Sequence, residues 1–334
     1  MYKKLTKIFV FALLLTHLII EAETKSIAIL VDKGWIGERA FALRIKSACE
    51  NLDWKATILN SNSSLASFQK FNWILTLTPN TFHFKKKSNY LVLFDPENHY
   101  FRSKNYLKSI FSNYYGYITT YTDHGSIRTF RKKNRLRIYP NPWYPTAQYR
   151  PFAEVSPRFL FYFIGQWGNR CHDLKYKILQ ELLANQNYTQ FFGNPVHGQL
   201  HKDAYKGSIP FTSESVQEQI FDCGVCLVLH SDIHINHEIP SGRIFEAAAA
   251  GAVIISDMNP FVKKYFGDSV LYVDHTKSGN EMFAEIDAHM RWILDHEEEA
   301  KQLAIRSYEI FTNQFLLEQQ LLEFDSWHQS HSKK

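Results

Sequence analysis

The sequence predicts an α/β protein with two Rossmann-like domains, each built on a parallel β-sheet that helices cover on both faces. Three observations lead to this fold class. The 334 residues exceed one ordinary core and suit two domains of about 100–200 residues. Short apolar runs alternate with helix-like stretches, as in parallel sheets that are buried on both faces. A proline-rich stretch separates two series of such runs.

Residues 1–22 form a segment of their own, with the pattern of a signal peptide or a short membrane anchor. Lys3, Lys4 and Lys7 precede an apolar stretch over residues 8–20, and polar residues follow it. This stretch is shorter than the ~20 residues that a helix needs to cross a bilayer. We therefore expect an exported or membrane-associated protein, on the cytoplasmic face if the segment only tethers it.

Residues 25–150 are predicted to form the first domain. A helix is expected over residues 38–52, and strands are expected over residues 27–31, 56–59, 73–77, 91–94 and 117–120. Gly34 and Gly37 follow the first strand, where glycine lets the backbone approach a ligand, although such turns are common at strand-to-helix junctions. Asp95 and His99 follow the fourth strand and are candidate acceptor contacts.

Residues 151–310 are predicted to form the second domain, and residues 311–334 a C-terminal helix that packs on the domains. Five prolines between residues 139 and 157 exclude regular elements there, because proline lacks an N–H and blocks helix formation. A helix is expected over residues 174–184, and strands over residues 159–164, 190–192, 225–229, 253–256 and 270–273. Apolar residues at helical spacing between 283 and 294 predict another helix, and one more is expected over residues 311–327.

The composition is that of a globular protein, with 45% apolar and 21% charged residues. Lysine and arginine exceed aspartate and glutamate by 38 − 33 = 5, which is compatible with anionic ligands and does not indicate nucleic acid. Four cysteines are too few and too scattered for a disulfide framework. Cys223 and Cys226 lack a second pair at zinc-site spacing, so we expect buried core cysteines.

The stretch HEIPSGRIFEAAAAGAVIISD, residues 237–257, carries the strongest chemical signal. Ser241 and Gly242 begin a helix there, and a helix N-terminus offers free N–H groups to an anion such as a phosphate. The alanines let this helix lie close to the sheet, and Gly251 ends it before the next strand. A ligand is therefore expected above the strand ends, where open α/β sheets bind theirs.

Two carboxylates flank the start of this helix. Glu238 precedes it, and Glu246 lies inside it with Arg243 three positions earlier on the same side. Carboxylates placed in this way can accept hydrogen bonds from hydroxyl groups at two points, as a ribose and a second sugar would present them. By itself the spacing also fits helix capping and a solvated face. Together with the predicted anion site, it indicates a sugar nucleotide as the ligand.

The pair Glu238 and Glu246, the alanine-rich helix and the strand after it resemble the donor-site motif of retaining glycosyltransferases with the GT-B fold. The stretches PSGRIFEAAAAGAVIISD and FGDSVLYVD are similar to the glycosyltransferase group 1 branch that includes CgeB-like proteins. The resemblance covers roughly residues 159–325. Over the first domain only the architecture matches.

The resemblance implies a role for each matching residue. Glu246 would hold the ribose hydroxyls and Glu238 the donor sugar, while Arg170 and Lys175, in the loop that begins at Gly165, would hold the diphosphate without a metal ion. This chain departs from the commoner family pattern here, because Gly165 is followed by Gln-Trp-Gly and not directly by the arginine. The donor substrate would be a nucleoside-diphosphate sugar, and no cofactor is implied.

Two further features are ambiguous. His230 ends a predicted strand on the same side and could contact the donor, although a lone histidine is more often a core or surface group. The segment from Arg128 to Arg137 has six basic residues in ten, which indicates either a solvated strand and loop or a patch for an anionic membrane surface or glycan. The sequence after the fourth strand is not the Asp-x-Asp of metal-dependent glycosyltransferases, so no metal is expected.

The leading hypothesis is thus a retaining glycosyltransferase whose first domain holds a glycan, lipid or protein acceptor. An exported solute-binding protein with two α/β domains is a second hypothesis, although such a protein does not need the carboxylate pair. A third is a glycosyltransferase-like protein that has lost catalysis and serves in surface assembly. The N-terminal segment conflicts with the cytosolic supply of nucleotide sugars in bacteria, and the sequence does not resolve that conflict.

Overall fold

The computed structural model describes residues 24–32, 34–60, 63, 70–78, 88–93, 114–121, 137–165, 169–193, 203–210 and 212–332. These residues form two parallel β-sheets of six strands each, one in each half of the chain, with helices packed against them and a helical C-terminus. The predicted fold class, an α/β protein with two Rossmann-like domains, is confirmed.

The first sheet has the strand order β2-β1-β3-β4-β5-β6. Its strands are β1 Ser26–Leu30, β2 Lys55–Leu59, β3 Trp73–Thr76, β4 Asn89–Leu93, β5 Gly116–Thr119 and β6 Arg137–Ile138. Helix α1, Ile36–Asn51, buries Phe41, Ile45 and Cys49 in the core of this domain. The five predicted strands lie within two residues of their expected positions, and β6 was not predicted.

The second sheet has the order β12-β11-β10-β7-β8-β9. Its strands are β7 Phe159–Ile164, β8 Thr189–Gly193, β9 Tyr205–Gly207, β10 Gly224–Val228, β11 Val253–Asp257 and β12 Leu271–Val273. The sequence analysis missed β9 and placed the other five strands within one residue. All of β10 and β11 is buried, as expected for central strands covered on both faces.

Helices cover both faces of the second sheet. They are α2 Asn169–His172, α3 Leu174–Ala184, α4 Ser215–Cys223, α5 Asp232–Asn236, α6 Gly242–Ala249 and α7 Pro260–Phe266. Helix α3 has its predicted bounds, and α6 is the predicted alanine-rich helix, whose Ala247, Ala248 and Ala249 are buried in the core. The sequence analysis missed α4, α5 and α7, which are short helices inside long connections.

The proline-rich segment over residues 139–158 contains no helix or strand, as predicted. It is nevertheless packed, because Trp143 and Ala147 in it are buried. Gly224 meets the end of this segment at the start of β10. A Cβ on Gly224, whose φ is +80°, would lie 2.5 Å from the carbonyl oxygen of Ser156. Only glycine fits this close backbone approach without strain.

The C-terminal helices agree with the prediction only in part. The structure has α8 Gly279–Asp295, which covers the helix expected between residues 283 and 294, α9 Glu297–Gln314 and α10 Leu317–Ser332. The helix expected over residues 311–327 therefore begins later, at residue 317, and α9 was not predicted. The helical conformation is interrupted at Phe315 because the ring of Phe315 is buried among aromatic side chains. Its centroid lies 5.1 Å from that of Phe245 and 5.7 Å from that of Phe261. Residue 311, the predicted start of a C-terminal helical segment, lies inside α9.

Helix α10 returns to the first domain. Asp325 of this helix accepts a hydrogen bond from Nε1 of Trp73 in β3 at 3.1 Å, and it also pairs with Lys25. The hydroxyl of Tyr90 in β4 hydrogen-bonds to Nδ1 of His328 at 2.7 Å. The last helix therefore joins the two halves of the chain through buried polar contacts as well as apolar packing.

Cys49, Cys223 and Cys226 are free and buried, as expected for core cysteines. Burial raises the pKa of the Cys226 thiol, which keeps the sulfur neutral. Across the portion of the chain that the structure describes, none of the helices combines the length and the apolar character needed to cross a bilayer. Residues 1–22 lie outside the described residues.

Candidate functional site

The candidate site lies where the carboxyl ends of β7, β10 and β11 form one edge of the second sheet. The chain enters this sheet at β7, builds β8 and β9 on one side, and then builds β10, β11 and β12 on the other. The strand order therefore reverses between β7 and β10. Open α/β sheets bind ligands in the crevice at such a point. Gly165 directly follows β7, and His230 follows β10 by two residues.

Arg170 reaches this edge from the short helix α2. Its Nη1 donates a hydrogen bond to the carbonyl oxygen of Leu229, just beyond β10, and its own carbonyl oxygen accepts one from Nε2 of Gln180 at 3.3 Å. The buried Nε of Arg170 has no hydrogen-bond partner among the residues that the structure describes. The guanidinium is thus held at the end of β10, and its buried Nε–H donor is unused.

Lys175 approaches the same edge from the first turn of α3. Its Nζ donates a hydrogen bond of 2.9 Å to the carbonyl oxygen of His275, in the loop after β12. Helix α3 begins without a side-chain cap, because Asp173 at its N-cap position makes no capping hydrogen bond. Arg170 and Lys175 therefore both contact this edge, one beside β10 and the other beyond β12.

His230 is fully buried and is held by Asp257, the last residue of β11. Nδ1 of His230 lies 2.7 Å from Oδ1 of Asp257, and the backbone N–H of His230 donates to Oδ2 at 2.5 Å. Burial acts to raise the pKa of Asp257, but the charge of His230 and the two hydrogen bonds outweigh it, so this pKa lies below its ordinary value. Asp257 is thus an ionised carboxylate inside the protein.

A second histidine lies beside this pair. His234 in α5 has its ring centroid 6.2 Å from that of His230, and its Nδ1 lies 2.6 Å from Oγ of Ser231. Burial, together with the charges of His230 and Arg170, lowers the pKa of His234 to about 3. His234 is therefore neutral at physiological pH.

Glu238 lies in the loop between α5 and α6 with an exposed side chain. Its φ of +56° is in the left-handed region, which residues with a Cβ adopt at a cost of about 1–2 kcal/mol. The preceding residue, His237, contacts Tyr121 of the first domain, with ring centroids 5.6 Å apart. The loop that presents Glu238 thus touches the end of β5 across the domain boundary.

Helix α6 begins as predicted. Oγ of Ser241 accepts a hydrogen bond from the backbone N–H of Arg243 at 3.3 Å, which caps the helix. A Cβ on Gly242 would lie 3.2 Å from the carbonyl oxygen of Pro145, so the helix N-terminus packs against the proline-rich segment. This contact gives a structural reason for glycine at position 242.

Glu246 is buried and shares its carboxylate between two guanidinium groups. Nη1 of Arg243 lies 2.6 Å from Oε2, and Nη2 of Arg44 lies 3.2 Å from Oε1. Arg44 belongs to α1 of the first domain, and its Nη1 also donates to the carbonyl oxygen of Thr146 at 3.0 Å. Burial lowers the pKa of Arg44, although the charge of Glu246 opposes that effect. Glu246 therefore takes part in an ion pair between the domains.

The first domain holds the remaining predicted site residues. Gly34 and Gly37 are exposed at the start of α1, and no described atom lies within 4 Å of a Cβ built on either one. Asp95, His99 and most of the segment from Arg128 to Arg137 lie outside the described residues. Arg137 itself stacks over Tyr115 at 4.3 Å and donates to the carbonyl oxygen of His331 at 2.7 Å.

Sequence reasoning missed several residues of this region, namely Arg44, Tyr121, His234 and Asp257. The signal for Asp257 was present, because a carboxylate directly after a buried strand lies at the ligand-binding edge of a parallel sheet. Arg44 and Tyr121 gave no such signal, since their partners come from the other domain. Within the described ranges, no group of three or more His, Cys, Asp or Glu residues could hold a metal ion. The predicted independence from metals stays a prediction.

Comparison with known proteins gives a family match that covers part of this edge. Residues 178–325 match the family model described as glycosyl transferase-like, and this match includes His230, Glu238, Glu246 and Asp257. No curated protein sequence matches the chain significantly.

Three solved structures illustrate the similarity of fold. Sucrose-phosphate synthase from Thermosynechococcus elongatus has a TM-score of 0.57 at 12% identity, over 92% of this chain and 98% of that one. Anabaena HepE in complex with UDP-glucose has a TM-score of 0.56 at 10% identity, over 90% and 99%. TarM has a TM-score of 0.50 at 10% identity over 76% of this chain, which spans only 54% of TarM. The fold is therefore that of GT-B glycosyltransferases, and UDP-sugar complexes occur among its neighbours.

Proposed function

We propose that this protein is a retaining glycosyltransferase that moves a sugar from a nucleoside-diphosphate sugar to a glycan, lipid or protein acceptor. One observation carries the proposal. Arg170 and His230 lie beside the point where the strand order of the second sheet reverses, and Lys175 contacts the loop after β12 on the same side of the sheet, in a chain whose fold is that of glycosyltransferases. Such an edge favours a doubly charged anion such as a diphosphate.

The donor would bind along the carboxyl edge of the second sheet. Arg170 and Lys175 would neutralise the charge that develops on the departing diphosphate, without a metal ion. Glu246 would accept hydrogen bonds from the ribose, since two guanidinium contacts leave part of the four-site acceptor capacity of a carboxylate unused. Glu238 would contact the donor sugar from its exposed position in the loop. Ser241, Gly242 and Arg243 would support these contacts at the start of α6.

The acceptor oxygen would attack the anomeric carbon from the same face of the sugar ring that the phosphate leaves. The bond between the anomeric carbon and the phosphate oxygen breaks as the acceptor oxygen forms its bond, and the acceptor proton passes to the departing phosphate oxygen. The acceptor would be held mainly by residues 25–150, near Gly34 and Gly37. Residues 1–22 would place the enzyme at a membrane or export it, and the basic segment that begins at Arg128 would face anionic groups there.

A thermal-shift screen of the full chain tests donor binding. UDP, GDP, ADP, CMP and their sugars are compared, and one nucleotide is expected to raise the melting temperature by several degrees at about 100 times its Kd. Glu246→Gln keeps the shape of the side chain and should lose most of that shift. Glu309→Ala, an exposed glutamate in α9, is the matched control and should keep it. A folded protein that responds to none of these nucleotides would count against the proposal.

The stereochemistry and the metal requirement are tested separately. Once a donor is known, NMR of the product gives the anomeric configuration, and an inverted linkage would rule out the retaining mechanism. Transfer in excess EDTA should proceed at an undiminished rate, because side chains and not a divalent cation neutralise the diphosphate. Loss of transfer that added Mg²⁺ restores would contradict that assignment.

A further inference from the structure

The pair of His230 and Asp257 has a hydrogen-bond arrangement that fixes one proton. A carboxylate only accepts hydrogen bonds, and Asp257 accepts from the backbone N–H of His230 as well as from its ring. Nδ1 of His230 therefore carries a hydrogen in both charge states of the ring. Nε2, on the far side of the imidazole from Asp257, is buried and has no hydrogen-bond partner among the described residues.

An unpartnered polar atom at this depth is costly, because it has lost its hydrogen bonds to water and gained none in the protein. The same region contains four more such atoms, namely Nε of Arg170, Nδ1 of His275 and the hydroxyl oxygens of Tyr176 and Ser256. Three of the five belong to arginine or histidine side chains. Their concentration at the ligand-binding edge of a parallel sheet indicates that they are satisfied by something that binds there.

The charges around His230 favour an anion. Arg170 contacts the end of β10 and Lys175 contacts the loop of His275, whereas His234 beside His230 is neutral. Two acidic residues face His230. They are Asp257, which is already hydrogen-bonded to His230, and Asp232 at the start of α5. The hydroxyl of Tyr176 in α3 is also buried nearby, and Asp257, Asp232 and Arg170 all act on its pKa, which burial raises. Positive groups thus exceed the available negative ones.

We propose that Asp257 is a positioning residue that stabilises His230 as an imidazolium when a nucleoside diphosphate binds, so that its Nε2–H donates to a phosphate oxygen of that ligand. This inference rests on the proposed function, and it adds that the protein takes up a proton when the diphosphate binds. Neutral His230 has a bare Nε2, which repels a phosphate oxygen, whereas the protonated ring donates to it. Binding of the diphosphate is therefore coupled to the uptake of a proton at His230.

Isothermal titration calorimetry measures this uptake directly. UDP and, as a probe independent of the base, inorganic pyrophosphate are titrated at pH 7.5 in buffers of different ionisation enthalpy. We expect about 0.5–1 proton taken up for each UDP bound, and an affinity that falls as the pH rises through the range where histidine loses its proton. The terminal phosphate of UDP itself titrates near pH ~6, so the difference between parent and variant is the readout.

His230→Gln tests the donor. It should bind UDP about 10- to 100-fold more weakly, without coupled proton uptake, because a charge-assisted hydrogen bond is lost. Uridine, which has no phosphate, should bind parent and variant equally. His296→Gln, far along the chain at the end of α8, is the matched control and should keep both the affinity and the proton uptake of the parent.

Asp257→Asn tests the positioning role. Asparagine keeps the shape of the side chain but not its charge, so proton uptake should disappear while uridine binding stays unchanged. If this variant does not fold, as judged by circular dichroism, His230→Gln decides the question alone. Proton uptake by His230→Gln equal to that of the parent, or binding of UDP by the parent without proton uptake, overturns the inference and leaves the proposed function intact. Failure of UDP, GDP, ADP and CDP to bind the parent overturns the proposed function as well.

Discussion

The ion pair between Arg44 and Glu246 offers a quantitative test of how the two domains are joined. Both side chains are about nine-tenths buried, with 10% and 9% of their surfaces exposed, and the guanidinium nitrogen lies 3.2 Å from the carboxylate oxygen. Replacing Arg44 with methionine retains most of the apolar volume and removes the charge. Glu246 then keeps one partner, Arg243, at 2.6 Å.

The loss in the free energy of unfolding depends on which charge is left without a partner. At 3.2 Å and an effective dielectric constant near 20, the gross attraction is about 5 kcal/mol, and desolvation of both groups offsets much of it. Arg44→Met should lower the free energy of unfolding by about 1–3 kcal/mol, because Arg243 still neutralises the carboxylate. Glu246→Gln should cost about 3–5 kcal/mol, since it leaves the buried guanidinium of Arg44 and the partly buried one of Arg243 without an anion.

A double-mutant cycle with urea unfolding separates the pair from its surroundings. The coupling energy for Arg44→Met and Glu246→Gln should be about 1–3 kcal/mol, provided that tryptophan fluorescence and circular dichroism give coincident transitions. Arg39→Met, at an exposed position of the same helix, is the control and should change stability by less than about 0.5 kcal/mol. A coupling energy below about 0.5 kcal/mol would refute the view that this pair joins the domains.

Two other predictions concern pH and backbone geometry. The pKa of His234 is lowered to about 3. Below pH 6.5 the unfolded chain therefore binds a proton at His234 that the folded chain does not, and the free energy of unfolding decreases as the pH is lowered. Between pH 6.5 and 5 the parent should lose about 1–2 kcal/mol more than His234→Gln in urea unfolding, and equal losses would contradict the assignment. Gly224→Ala should destabilise by more than about 2 kcal/mol, because the new Cβ meets backbone at 2.5 Å, whereas Gly37→Ala, in a helix with open space, should be neutral or stabilising. If the melting temperatures of both variants fell by the same amount, the close backbone contact at position 224 would not be the cause.

The sequence predicted the strands well and the helix boundaries less well, for a physical reason. A central strand such as Phe159–Ile164 is apolar on both faces, so its run of apolar residues ends where the strand ends. Helices α9 and α10 meet at Phe315, whose large side chain fits the helical apolar pattern. What ends the helix there is the aromatic cluster around Phe245 and Phe261, and such tertiary packing cannot be seen in a local pattern.

The candidate site divides in the same way. Residues that follow a strand, such as Gly165 and His230, could be assigned to the ligand-binding edge because strand order alone places them there. The spacing of Glu238 and Glu246 likewise showed a carboxylate before a helix and another inside it. It could not show that Arg44, about 200 positions away in the chain, lies against the second carboxylate. Contacts between domains depend on the packing of two separate cores, for which the sequence has no periodic signal.

Two contacts between the domains fall on one short stretch of the second domain. Tyr121 meets His237 beside Glu238, and Arg44 meets Glu246. Both carboxylates that the sequence selects for donor binding are therefore next to, or paired with, side chains of the first domain. A ligand that interacts with these carboxylates must act on the same contacts, so its binding energy and the arrangement of the domains are thermodynamically linked.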